Sequence, residues 1–135
     1  MDGAGLKRVR FVGCRLTGAM LSGTNLSDLT IEDSVADLVN FRAAHATYLS
    51  IEATSLREAD FYTAALSNPA LLDCDLSAAN FTEARAPGLE LHGSTLDALR
   101  GAQSLTGARI DAEQLIPLGL ALVAALQVEV SDRSR

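Results

Sequence analysis

Residues 51–85 read IEATS-LREAD-FYTAA-LSNPA-LLDCD-LSAAN-FTEAR when the chain is divided every five residues, and each block opens on Ile, Leu or Phe. The same register extends in both directions, and all four phenylalanines of the protein fall on it. A fixed short period of this kind is typical of a solenoid, in which each repeat buries its apolar residues by stacking on its neighbours. The nineteen anchors are Leu6, Phe11, Leu16, Leu21, Leu26, Ile31, Ala36, Phe41, Ala46, Ile51, Leu56, Phe61, Leu66, Leu71, Leu76, Phe81, Ala86, Leu91 and Leu96.

Neither regular element can bury this series of anchors. On an α-helix, residues five apart are rotated by about 140° from one another, so they never share one face. On a flat strand, residues five apart alternate between the two faces. The chain must therefore turn once within each five-residue block, so that every anchor returns to the same interior.

A second inward position gives the size of one complete turn. Side chains two apart on an extended segment share a face, so the residue two before each anchor also points inward. Most of these residues are small, and five of the six larger ones lie twenty apart, at Val9, Leu29, Leu49, Pro69 and Leu89. We therefore predict that four blocks form one turn and that residues 1–99 form an all-β solenoid. Its four faces are named here after their first anchors, Leu6, Phe11, Leu16 and Leu21.

Individual blocks resemble the consensus of the pentapeptide-repeat proteins, which is a small residue, then Asp or Asn, then Leu or Phe. The best matches are Thr24-Asn25-Leu26, Ala59-Asp60-Phe61, Cys74-Asp75-Leu76 and Ala79-Asn80-Phe81. The resemblance implies a right-handed quadrilateral β-helix. It also implies that Asp60 and Asp75, which precede anchors, make structural hydrogen bonds.

Residues 100–135 depart from the five-residue register. Leu105 and Ile110 lie one residue out of phase, which predicts a shifted last partial turn. Asp111 and Gln114 have the spacing of a capping box. Pro117 predicts that the following helix is kinked or begins there. Beyond it, Gln127–Val130 alternate polar and apolar residues as a short strand does, and residues 131–135 are expected to be a disordered tail.

The predicted C-terminal helix is apolar on all sides from Leu115 to Leu126. One side is expected to cover the open end of the coil, and the other then needs a partner, of which a second copy of the chain is the simplest. We therefore predict a capping and dimerisation helix and a homodimer. The interface residues are predicted to be Leu115, Leu118, Leu122, Val123 and Leu126.

A second resemblance concerns residues 104–111, SLTGARID, together with Gln114 and the helix after it. This segment is similar to the C-terminal segment of the mycobacterial fluoroquinolone-resistance branch of the same family. That resemblance implies dimerisation through this end, mimicry of duplex DNA, and DNA gyrase as the candidate partner.

Charge is unevenly distributed along the chain. The first 27 residues carry a net charge of +3, and the remaining 108 carry −9. Two interpretations stay open. One is an acidic surface that attracts a basic, DNA-binding protein surface, and the other is an ordinary solvated surface on a scaffolding solenoid that binds an unrelated protein partner. Nucleic acid itself is not an expected partner. The candidate partner-binding acids are Glu32, Asp33, Glu52, Asp73 and Glu90 on the Phe11 face and Asp37, Glu58, Asp75 and Asp97 on the Leu16 face.

No catalytic, cofactor or metal site is predicted, so the chain is not expected to be an enzyme. His45 and His92 fall on outward positions of different faces, and Cys14 and Cys74 fall on inward positions too far apart for a disulfide. The glycines do not match a phosphate-binding loop; Gly13, Gly18 and Gly23 fall at corners. No segment predicts a signal peptide or membrane span, and the cytoplasm is the expected compartment.

Overall fold

A computed structural model describes residues 5–132 of the chain. Five strands come first: β1 (Gly5–Val12), β2 (Asn25–Glu32), β3 (His45–Glu52), β4 (Ala65–Ser67) and β5 (Ala70–Leu72). Two short 3-10 helices follow at Ala102–Ser104 and Ala112–Gln114, and α1 spans Leu115–Ala125. All strand pairs are parallel. The prediction of a right-handed, four-sided β-solenoid with a C-terminal helix is confirmed.

The strand register repeats every twenty residues, as the inward columns predict. Leu6 pairs with Leu26, Leu26 with Ala46 and Ala46 with Leu66. On the other two faces single bridges replace strands, for example from Arg15 through Val35, Ser55 and Asp75 to Thr95. Leu29 pairs with Leu49 and both are buried, so the large inward residues share one column.

The corners of the coil use the left-handed backbone region. The residue two after each anchor has a positive φ without interruption from Arg8 to Ala98. Gly13, Gly18 and Gly23 lie at three of these corners, as predicted, but most corners carry residues with a side chain, including Thr63. This conformation is unfavourable for residues other than glycine. It is therefore imposed by the hydrogen bonds and apolar packing on either side of each corner.

The interior is an unbroken apolar column built from the anchors. Phe41, Phe61 and Phe81 stack on the Leu21 face, with ring centroids 5.1 and 4.8 Å apart. All three rings are fully buried. Stacked aromatic pairs add to the free energy gained by burying their area, so this ladder joins three successive turns.

The coil closes with the predicted shift of phase. Arg109, not residue 110, pairs with Glu90, so the last partial turn is one residue short. Gly101 takes the position of the next anchor above Phe81, with a φ of 73°. A Cβ atom there would lie 2.2 Å from the backbone nitrogen of Thr82. Backbone therefore replaces a side chain at the top of the phenylalanine ladder.

Gln114 seals the end of the coil. Its side-chain oxygen accepts the Asp111 N–H at 2.7 Å, which is one half of the predicted capping box. Its Nε2 donates to the carbonyls of Leu91 and Ser94 at 2.5 and 2.7 Å, and the side chain is buried. The Asp111 carboxylate accepts the Gly93 N–H at 2.8 Å and so also ties the helix start to the coil.

Two details of the C-terminal region differ from the expectations. The helix begins at Leu115, two residues before Pro117, which therefore lies in the first turn, where a missing N–H is tolerated. The predicted strand over Gln127–Val130 is wrong. Gln127 has a φ of 55°, and the Val128 N–H donates to the Val123 carbonyl, so these residues complete a helix C-cap. Of the predicted tail, residues 133–135 lie outside the described residues.

Candidate partner-binding surface

The acids of the Phe11 face lie on neighbouring outward columns. Glu32 and Glu52 are directly paired in the β2–β3 register. Asp33 and Asp73 lie at the corner between the Phe11 and Leu16 faces, both with positive φ, and Ala53 separates them. These four residues, Glu32, Asp33, Glu52 and Asp73, are called the acidic ridge below. Glu90 lies on the opposite side of the same face, next in sequence to its anchor Leu91.

Ion pairs divide the candidate acids into two groups. Glu32 pairs with Arg10 at 3.0 Å, Glu90 with Arg109 at 3.6 Å, and Asp75 with Arg57 at 3.4 Å. Within residues 5–132, no base lies within ion-pair distance of Asp33, Glu52 or Asp73 on the ridge. These three side chains belong to exposed residues and are available to a partner.

Two acids of the Leu16 face serve the fold. The Asp37 carboxylate accepts the Ser55 hydroxyl at 2.5 Å and the Arg57 N–H at 2.9 Å. Asp75 accepts the N–H and hydroxyl of Ser77 at 3.0 and 2.6 Å. Partial burial opposes the ionisation of Asp75, but these bonds and Arg57 outweigh it and lower its pKa. On this face only Glu58 and Asp97 resemble Asp33, Glu52 and Asp73 in being exposed and without such bonds among the described residues.

The residues before the anchors have the structural role that the family resemblance implied. Asp60 accepts the Tyr62 N–H at 3.0 Å, and Asn80 accepts the N–H and hydroxyl of Thr82 at 3.0 and 2.6 Å. Such local bonds satisfy backbone donors next to each corner. These side chains are therefore occupied within their own turn.

Like charges on neighbouring turns of the ridge lower the stability of the fold. Glu32 and Glu52 occupy adjacent strands in register, about 4.8 Å apart, an arrangement that destabilises a sheet. Arg10 compensates Glu32, but Glu52 has no such neighbour among the described residues. The unpaired acids Asp33, Glu52 and Asp73 lie on three successive turns, so they give one free charge per strand spacing of about 4.8 Å.

Residues of the types used in catalysis and metal binding do not lie close together within the described part of the chain. His45 lies on the Leu6 face and His92 on the Phe11 face, as predicted. No group of three or more His, Cys, Asp or Glu between residues 5 and 132 could hold a metal ion. Cys74 is buried and Cys14 is half-buried, and both are free thiols. Burial raises the pKa of the Cys74 thiol to about 11, so it stays protonated at neutral pH.

The apolar helix α1 presents two different sides. Ala121 is buried, and Leu118 and Leu122 pack against the chain's own core. Of the five predicted interface residues, Leu115 and Leu126 are exposed, Leu118 and Leu122 face the coil, and Val123 is half-buried.

Sequence reasoning missed two exposed residues of this helix, Ile116 and Leu120, which are 75% and 67% exposed. A helical wheel started at the buried Gln114 would have found them. Gln114, Leu118 and Ala121 then lie on one side, and Ile116, Leu120 and Val123 lie opposite. These last three residues are called the outer helix face below.

No helix among residues 5–132 is long and apolar enough to cross a membrane.

The model of the family described as "Pentapeptide repeat region" matches residues 4–81 of this chain. None of the curated proteins matches it.

Several solved structures are similar to this one. The pentapeptide repeat protein Rfr23 from the cyanobacterium Cyanothece 51142 is 17% identical, with a TM-score of 0.48, and the match covers 82% of this chain and 86% of Rfr23. QnrB1, a plasmid-mediated fluoroquinolone resistance protein, is 18% identical in its R167E trypsin-treated form, with a TM-score of 0.39 and coverage of 97% and 91%. A pentapeptide repeat protein of the Arabidopsis thaliana thylakoid lumen is 24% identical, with a TM-score of 0.33 and coverage of 81% and 77%.

Proposed function

Because the chain belongs to the pentapeptide-repeat family, we propose that it is a non-enzymatic interaction protein whose acidic ridge binds the DNA-binding surface of a protein partner. DNA gyrase is the partner proposed here, on the resemblance of residues 104–111 and the helix after them to the fluoroquinolone-resistance branch. The observation that carries the proposal is the ridge itself: Asp33, Glu52 and Asp73 are exposed and have no basic neighbour within ion-pair distance among the described residues.

The electrostatic argument depends on the rigidity of the ridge. Its carboxylates are fixed on a solenoid whose turns are joined by continuous backbone hydrogen bonds. A basic groove that evolved for phosphates about 3.4 Å apart along each DNA strand meets unpaired negative charges about 4.8 Å apart here. Little backbone entropy is lost on binding, since the turns that carry the acids are already ordered.

We propose that two chains associate through the outer helix face. The exposed Ile116 and Leu120 cost free energy in water, and a two-fold contact buries both copies together. Such a dimer has one acidic ridge on each side of the two-fold interface, so its acidic surface is longer than that of one chain. The proposed site of action is the cytoplasm, where two unpaired thiols are stable.

The deciding experiment is a DNA gyrase supercoiling assay with added protein, with and without a fluoroquinolone. Wild-type protein is expected to change the supercoiling rate or its inhibition by the drug. The double variant Glu52→Lys, Asp73→Lys is expected to weaken the effect by about tenfold or more, because it reverses two unpaired ridge charges. The effect of the wild-type protein is also expected to fall steeply with added salt.

The matched control reverses two acids away from the ridge, Glu83→Lys and Glu113→Lys. Glu83 lies at the corner that follows the Leu21 face, Glu113 lies in the second 3-10 helix, and both are exposed. The control has the same net charge as the ridge variant. A difference between the two variants therefore reports contact at the ridge and not the change in net charge. Circular dichroism and thermal melting check that both variants fold. Equal activity of the ridge variant and wild type would refute binding through the ridge.

A scaffolding solenoid that binds an unrelated protein is the second candidate. Exposed Met20 and Leu38, which lie on adjacent turns near the corner of the Leu16 and Leu21 faces, favour it. If gyrase activity is insensitive to the wild-type protein, this function becomes the better one, and Leu38→Lys is the variant that tests it in a pull-down.

A further inference from the structure

One hydrogen-bonded backbone pair is missing on the Leu6 face, near the C-terminal end of the coil. In the regular turns the residue before an anchor pairs with the turn below. Arg85, for example, donates its N–H to Ala64 at 2.8 Å, and its carbonyl accepts the Leu66 N–H at 2.7 Å. A residue above Arg85 would pair in the same way with the Ala84 carbonyl and the Ala86 N–H. Within residues 5–132, neither of these two groups has a hydrogen-bond partner.

The cause is the first 3-10 helix, Ala102–Ser104. Leu105 lies twenty residues after Arg85, but its N–H donates to the first residue of that helix at 3.1 Å and not to the turn below. On the Leu21 and Phe11 faces, in contrast, Arg100 and Arg109 do pair with the turn below. The missing pair is therefore a consequence of the local helix, with described residues on both sides of it.

The two free backbone groups lie in a groove. A depression of about 410 Å³ is lined by residues of the last regular turn and of the segment above it, which are Ala84, Arg85, Ala86, Pro87, Ser104 and Thr106. A second depression, of about 610 Å³, shares Ala84, Arg85 and Ser104 with the first. Ala86 is only 3% exposed, and a buried backbone N–H without a partner is rare. The groove thus offers a ligand one backbone donor and one backbone acceptor.

Arg85 gives the groove a positive charge. Its side chain belongs to an exposed residue, and no acid in the described structure lies within ion-pair distance of it. Glu83 and His45 line the second depression, and no acid lines the first. Because a guanidinium group binds carboxylates through paired hydrogen bonds, a carboxylate is the group that best fits beside Arg85 and the Ala86 N–H.

We propose that this groove binds the C-terminal residue of an extended peptide from a partner protein. The N–H of that residue donates to the Ala84 carbonyl, and its terminal carboxylate accepts the Ala86 N–H and pairs with Arg85. These bonds fix the direction of the peptide, so its preceding residues leave over Ala84 toward the second depression. Only one residue has to pair with the coil, so the bend at each corner does not oppose binding. The site is separate from the acidic ridge and does not depend on the function proposed for that ridge.

The test is an NMR titration of the full chain with acetyl-trialanine, in which the Ala86 amide is followed. This peptide is expected to shift the amide resonance saturably and to slow its hydrogen exchange by about tenfold or more, because the N–H becomes hydrogen-bonded. Three further probes vary the chain end. A carboxamide end removes the charge, a terminal proline keeps the carboxylate but removes the N–H, and free alanine lacks the preceding residues. Each is expected to bind about tenfold more weakly or less tightly still.

A pair of variants locates the contact. Arg85→Gln is expected to weaken binding of acetyl-trialanine by about tenfold, because it removes the charge that pairs with the carboxylate. Arg100→Gln makes the same charge change at an exposed position on the neighbouring Leu21 face and is expected to leave binding unchanged.

Four results would overturn the proposal. Equal binding of the carboxamide peptide would exclude recognition of the carboxylate, and equal binding of the proline peptide would exclude pairing with the Ala84 carbonyl. Free alanine that binds as tightly as acetyl-trialanine would identify a site for an amino acid and not for a peptide end. Absence of binding, or binding that leaves the Ala86 amide unshifted, would show that the groove is not the site.

Discussion

Gly101 shows how one residue ends the phenylalanine ladder. It lies above Phe81 with a φ of 73°, and the backbone of Thr82 fills the space that a Cβ atom would need. Replacement by alanine therefore combines a steric clash with an unfavourable backbone conformation.

We expect Gly101→Ala to lower the free energy of unfolding by about 3 kcal/mol. Urea denaturation followed by circular dichroism measures it. Gly88→Ala is the matched control, since Gly88 has a φ of 72° but nothing within 4 Å of the added atom. The control is expected to lose only about 1 kcal/mol, from the backbone conformation alone. Equal losses in the two variants would contradict the proposed clash.

Asp75 links the fold to acid stability. Its pKa is lowered in the folded protein, so the ionised carboxylate favours the native state. This stabilisation is fully present above the ordinary carboxyl pKa of the unfolded chain and is lost as the pH falls through the lower, folded-state pKa. Asp75→Asn is therefore expected to flatten the fall in melting temperature below about pH 4. An unchanged slope of melting temperature against pH in this variant would contradict the assignment.

At the scale of elements, helix α1 has one side toward the coil and one toward solvent. Leu120→Asp is expected to give monomers of normal stability, because Leu120 is 67% exposed and lies on the outer helix face. Light scattering at micromolar concentration measures the mass, which for wild type should be twice the 14.2 kDa of one chain.

The control for the helix prediction is on the inner side. Leu118→Asp places a charge against the core and is expected to lower the melting temperature, whatever the assembly state. A wild-type mass of one chain would refute the dimer.

The elements of the coil were predictable from sequence, and those after it were less so. Anchors such as Phe41 and Phe61 specify where each side chain points, because a closed turn of twenty residues allows one inward register only. Gln127–Val130 alternate like a strand, but on the Phe11 and Leu16 faces the last edge of the coil is already covered by Arg109 and Gln114. Alternating polar and apolar residues form a strand only where a sheet edge is free to pair with them. Sequence alone does not show whether such an edge is free.

At the scale of the whole molecule, the acidic surface was predictable as a set of residues but not as a set of free charges. The faces of Glu52 and Asp73 follow from the twenty-residue period. That Asp37 is held by Ser55, and Glu90 paired with Arg109, depends on side-chain conformations and on the shifted last turn. With the ion pairs of Glu32 and Asp75, those contacts leave five of the nine candidate acids unpaired, which are Asp33, Glu52 and Asp73 on the ridge and Glu58 and Asp97 on the Leu16 face.

The regular coil also fixes the direction in which the terminal helix faces. Each block of five residues turns the chain by one side of a square, so the number of blocks between Asp73 and α1 sets the angle between the ridge and the outer helix face. Inserting one block would rotate the helix by a quarter turn, and two blocks would carry it to the opposite side. Four blocks would restore the angle and move the helix away by about one strand spacing of 4.8 Å. The number of blocks in this fold therefore sets both the distance and the angle between the acidic ridge and the outer helix face.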